Sequence, residues 1–135
     1  MVMTAQMQTE LNLRRRNLLA YIAADPITVS FNRFPRVDDG AGGWKKGLPV
    51  VVAPQVMRMV PYKRRLSKLT DMITPGEIPN VQYSLISRWD ADVERYDELE
   101  IAGEWMKVIG VEPKGKAVVM TDRLTILIEI RDGAY

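Results

Sequence analysis

The sequence predicts a mainly β fold: a small β-barrel of about six short strands, with one N-terminal α-helix and a long inter-strand loop. Three observations lead there. Helical spacing of apolar residues occurs only before Asp25-Pro26, and a residue ahead of proline avoids the α region. Beyond it the apolar residues alternate in short runs, the period of a half-buried strand. Glycine and proline stand between those runs, where turns belong. A chain of 135 residues suits a single domain, residues 1–135, with a helix region at 1–24 and a barrel at 27–130.

The helix is expected over residues 9–24, where Leu11, Leu18, Leu19 and Ile22 form a narrow apolar stripe and Arg14, Arg15 and Arg16 lie mostly off it. The arginines followed by "NLLAYIAA" have the layout of a short secretion signal, but "DPITV" offers no cleavage site, so the stretch reads as a helix. Residues 27–34 form a strand with Ile27, Val29 and Phe31 on one face, followed by a glycine-rich turn, "PRVDDGAGGWKKG". A strand over 48–60 is interrupted at Pro54, and another runs over 81–88. Residues 97–101 and 104–111 pair across Ala102-Gly103 as a tight hairpin. The last strand lies within 117–130, with Leu124, Ile126, Ile128 and Ile130 on one face. Residues 62–79 are the exception, because a connection of that length without strands is uncommon in a compact domain and is usually functional or disordered.

Composition restricts the chemistry. The chain has no Cys and no His, which removes disulfides, thiolate and imidazole metal ligands and every nucleophile–imidazole dyad. Any catalysis would rest on Asp, Glu, Lys, Arg, Tyr or Ser. A net charge of +2 makes the chain no polycation, so nucleic-acid binding would need a local basic patch. The longest uncharged apolar run, 47–57, is too short to span a membrane and carries Pro49 and Pro54.

The closest approach to catalytic machinery is "GVEPKGKA", which meets the phosphate-loop pattern at Gly110, Gly115 and Lys116 and then places Ala117 where Ser or Thr would hold magnesium. A β-branched, alternating segment follows instead of a helix. "PKGK" therefore reads as a hairpin turn, with Gly115 supplying positive φ. "DADVE" alternates carboxylates as a calcium loop does, but Arg95 occupies the glycine position and Ile101 the final glutamate position, so it reads as an acidic rim. Ser67-Lys68 offers a serine–lysine pair, but adjacency in sequence says nothing about geometry, and it is discounted. No catalytic, metal or cofactor site is assigned.

Two charged segments remain. Residues 58–68 carry five cations, Arg58, Lys63, Arg64, Arg65 and Lys68, and read equally as a solvated loop or a functional one. Residues 89–104 hold seven acids, including Asp90, Asp92, Glu94 and Asp97, against Arg95 alone. Segments of opposite sign on one chain allow head-to-tail contacts that close into a ring. The turn of Asp39, Gly40, Gly42, Gly43 and Trp44 is expected to be an exposed contact tip, unless Trp44 folds back onto its own barrel.

In their order these pieces resemble the head-to-tail joining proteins of long-tailed bacteriophages, specifically the stopper, or head-closure, group. The resemblance rests on "DDGAGGW" (38–44), "PQVMRMVP" (54–61), a long variable connection, and "YSLISRWDADVERYDELEIAGEWMKVIGVEP" (83–113). In the last block Asp92, Asp97, Ile101, Gly103, Trp105 and Val108 fit the family's aspartate turn, strand, glycine turn and aromatic-bearing strand. Tyr96 departs from it, standing where glycine is expected. The resemblance implies a non-enzymatic β-barrel assembled as a homo-oligomeric ring in the head–tail neck of the virion after assembly in the host cytoplasm. An adaptor protein would lie above the ring, a tail protein below it and packaged DNA in its channel, with no membrane partner. It also implies that the long loop, with Lys63, Arg64, Arg65 and Lys68, projects into that channel toward DNA or toward an acidic neighbour. The alternatives are a tail-completion protein of the same neck, a small nucleic-acid-binding barrel, and, last, an enzyme built on carboxylates.

Overall fold

The computed structural model describes residues 3–62, 81–115 and 120–130. The chain is mainly β with one N-terminal helix: α1 (Ala5–Ala24), β1 (Ile27–Val29), β2 (Asn32–Arg33), β3 (Arg36–Asp38), β4 (Trp44–Lys46), β5 (Val50–Val51), β6 (Gln55–Pro61), β7 (Val81–Arg88), β8 (Glu98–Ile101), β9 (Glu104–Gly115) and β10 (Thr121–Ile130). Eight strands form one sheet in the order β1-β6-β7-β10-β9-β8-β2-β5, and β3 and β4 pair as a separate ladder.

This order forces the sheet to curl. β1 lies at one end and β2 next to the other, yet only Ser30 and Phe31 separate them in sequence. Three Cα steps reach at most about 11 Å, so the two ends of the sheet must lie close together, and the result is a half-barrel. The closed six-stranded barrel expected from the sequence is therefore corrected on two points. The covalent crossover at Ser30-Phe31 stands in place of a hydrogen-bonded seam, since among the described residues β1 pairs only with β6. The strand count rises because 27–34, read as one strand, breaks into two, because the interruption expected at Pro54 separates β5 from β6, and because the glycine-rich turn contains the β3–β4 hairpin.

Inside the curl lie Val29, Phe31, Met57, Leu85, Leu99, Met106, Val108, Ile126 and Ile128, all buried. The predicted inward faces of 27–31 and 124–130 hold. On β9, Val108 and Val111 both reach this core despite their odd spacing. The reason is a register shift: Ile128 pairs with Val108 but Leu127 with Gly110, which leaves Ile109 as an extra residue.

Helix α1 covers the outer face, Leu18 and Ile22 packing on Ile86, Val60 and Trp89. It begins earlier than residue 9 because the Thr4 hydroxyl caps it, accepting from the Met7 N–H at 3.1 Å. The predicted stripe needs two corrections. Leu19 is exposed. Arg15, at the helical spacing between Leu11 and Leu18, faces the sheet, where it donates to the Thr121 carbonyl at 3.1 Å and stacks 4.4 Å from the Trp89 ring. Arg14 reaches the buried Asp122 at 3.8 Å. Arg58, counted in the basic cluster, anchors the other end of the helix, donating to the Tyr21 carbonyl at 2.9 Å and lying 4.0 Å over the Tyr21 ring.

The hairpin at Ala102-Gly103 joins β8 to β9 as predicted; both turn residues are left-handed, with φ of 52° and 84°. At Gly115 the expectation of positive φ is corrected. Gly115 lies in the ladder opposite Thr121, and an added Cβ would stand 2.3 Å from the Met120 carbonyl oxygen. Close approach of two backbones, not turn geometry, requires glycine there.

Candidate functional site

The charged centre of the molecule is Arg33, on β2. Its Nε and Nη2 form a two-pronged pair with the Asp97 carboxylate at 3.1 and 2.8 Å. Its Nη1 meets Asp92 at 2.9 Å, and Glu94 lies 3.3 Å from Nε. Asp97 is buried and also accepts from the Glu94 backbone N–H at 2.8 Å. The hydrogen bonds with Asp97, opposed by partial burial and supported by Asp92, hold the Arg33 guanidinium well above its ordinary pKa. One arginine thus draws the acidic turn 92–97 onto the end of β2.

Beside this centre the β3–β4 hairpin and β5 stand over the 94–98 turn and enclose a cleft of about 680 Å³. Its aromatic walls are Phe34, Trp44 and Tyr96. Cations lie over all three rings: Arg36 at 4.1 Å from Trp44, Lys46 at 4.3 Å from Phe34, and Arg95 at 4.8 Å from Tyr96. Its apolar lining is open to solvent: Trp44 and Val50 are each 57% exposed. Monomers seldom leave large apolar side chains grouped in this way unless something docks there.

The hairpin tip has the exposure expected of it. The Asp39 carboxylate accepts from the Ala41 and Gly43 N–H groups at 2.8 and 3.1 Å, and Asp38 accepts from Gly40 at 2.9 Å. Gly40 and Gly42 have φ near 80° and 86°, as a glycine-dependent turn requires. Gly43 does not; a Cβ there would stand 2.9 Å from the Asp39 carboxylate. Trp44 is outside the buried core cluster and lines the cleft, with the Arg36 guanidinium over its ring.

Of the four acids considered for a subunit contact, Asp92, Glu94 and Asp97 gather on Arg33 within the chain, and Asp90 pairs with Arg88 at 3.0 Å. Among the described residues no cluster of acids could hold a metal ion. The phosphate-loop match is laid out as strand from Gly110 to Gly115, opposite β10; Lys116 and Ala117 lie outside the described residues. The long loop 62–79 also lies outside them beyond Tyr62, and with it Ser67 and the proposed channel residues Lys63, Arg64, Arg65 and Lys68. No helix among the described residues is long and apolar enough to cross a membrane.

Sequence reasoning missed Arg33, although a signal was present. Arg33 continues the parity of Ile27, Val29 and Phe31, and a cation at an inward position of an alternating strand requires a buried carboxylate partner. No protein-family model matches the chain, and no curated protein matches it significantly.

Proposed function

We propose that the chain is a non-enzymatic structural component of a bacteriophage head–tail connector: a stopper ring that closes the portal channel on packaged DNA and offers a docking surface to the tail. The observation that carries this reading is the exposed apolar and aromatic face formed by the β3–β4 hairpin and β5. Such a face suits assembly with other proteins better than it suits chemistry. The resemblance to the stopper group supplies the kind of assembly, and the curled sheet with a single N-terminal helix is compatible with the fold it implies. In that reading the channel-closing element would be the 62–79 loop, whose cations suit a DNA channel without close pairing.

Electron microscopy of the particle neck tests the reading. A ring of this protein between the adaptor and the tail is the expected result, and its absence from the neck would reject it. Reversing Arg64 and Arg65 to Glu should leave rings assembled but let packaged genomes leak; rings that retain DNA normally would remove the loop from the proposal.

A further inference from the structure

We propose that the cleft between the β3–β4 hairpin and the 94–98 turn receives the β8–β9 turn, residues 100–105, of a second copy of this chain. The inference rests on the ring reading above and names the contact that builds the ring. β5 is a sheet edge, but its two residues are flanked by Pro49 and Pro54, so strand addition along it could engage little backbone. The contact must therefore be made by side chains, which Trp44 and Val50 present at the cleft.

The occupant follows from charge and shape. The cleft is lined by five cations (Arg33, Arg36, Lys46, Arg95, Lys107) and three acids (Glu94, Asp97, Glu98), a net of 5 − 3 = +2. Residues 99–105 carry Glu100 and Glu104 and no cation, a net of −2. Both glutamates are exposed, and neither has an ion-pair partner among the described residues. The two left-handed residues at Ala102-Gly103 make this end of the hairpin a narrow convex wedge, with Ile101 and the 40% exposed Trp105 beside it. Face against face, or wedge against wedge, would set like charges together. Face against wedge does not, and a contact between two different surfaces repeats from copy to copy until it closes or runs on.

The absence of cysteine makes the test direct. Val50→Cys and Ala102→Cys are made in separate chains, mixed and oxidised. The expected product is the mixed covalent dimer, in excess over both like dimers, and the double variant alone should give a ladder of covalent oligomers. Adding Arg36→Glu to the Val50→Cys chain should lower the mixed yield about five-fold, with recovery when the partner carries Glu100→Lys and Glu104→Lys. A statistical mixture of dimers, or Val50→Cys pairing mainly with itself, would overturn the contact. Rings visible in micrographs but lacking this cross-link would reject the contact and leave the ring reading intact, whereas absence of the protein from the neck would reject the ring reading itself.

Discussion

The two halves of the curled sheet are held by different means. On one side β6, β7, β9 and β10 are long and pair over many residues, with apolar side chains inside and the helix packed outside. On the other, β2 and β5, with the separate β3–β4 ladder beside them, have two or three residues each, and order comes from the Arg33 centre and local turn bonds. The first half buries most of its apolar residues, whereas the second leaves several of them in water. A region held by ion pairs and turns can keep its shape without burying its apolar side chains, which remain available to a partner.

The largest expected effect breaks the first half. Leu85 and Ile126 are fully buried, and truncation of either to alanine should cost about 4 kcal/mol in denaturant unfolding. Val51→Ser and Trp44→Ala should each change the stability of the isolated chain by less than about 1 kcal/mol while weakening its association with other copies. Equal losses at the two sets of positions would erase the distinction between the halves.

Next in size is Arg33. Arg33→Met leaves the buried Asp97 without its cation and should cost about 3 kcal/mol. Arg33→Met with Asp97→Leu should cost less than the single change, because no uncompensated charge remains. A double variant less stable than the single one would show that Asp97 acts mainly through its bond to the Glu94 N–H. The raised pKa of Arg33 fixes the sign of any pH effect. Its contribution is complete below the ordinary arginine value and is lost only as pH rises through the raised one, so alkaline titration of lysines should leave this centre intact.

The difference between the halves also governs what could be read from the sequence. Periodicity reports burial, so β7 and the inward residues of β10 were legible from their apolar runs, and the β8–β9 hairpin from its Ala102-Gly103 turn. The other half follows no period. β1 and β2 look like one strand because Phe31 continues the parity while the chain crosses from one edge of the sheet to the other. β3 and β4 hide in a glycine-rich stretch because their side chains are exposed. Arg15 was placed by charge, off the apolar stripe, and Arg33 drew no reading at all, although the spacing of each puts it on an inward face. The acids at 92, 94 and 97 carry no sequence mark of their shared partner, which lies about sixty positions away.

A smaller effect is expected at Gly115, where strands β9 and β10 nearly touch. Gly115→Ala would force the Met120 carbonyl aside and should cost about 2 kcal/mol. A neutral result would mean that the segment after Gly115 yields easily.

The smallest effect is at Tyr96, where the resemblance to the stopper group leads one to expect glycine. Its φ is 74°, a left-handed conformation that costs a residue with a Cβ roughly 1–2 kcal/mol and glycine almost nothing. The turn has the shape glycine would give; only the side chain departs. The backbone is held there by the Tyr96 N–H donating to the Val108 carbonyl at 2.7 Å and the Asp97 N–H donating to the Glu94 carbonyl at 3.1 Å. Tyr96→Gly and Tyr96→Ala both remove the ring from the cleft, so the difference between them isolates the backbone. The glycine variant should be the more stable of the two by about 1 kcal/mol, the relief of strain being partly offset by the greater freedom of glycine in the unfolded chain. An alanine variant as stable as the glycine one would show that this turn is not under strain, and that Tyr96 stands there at no cost to the fold.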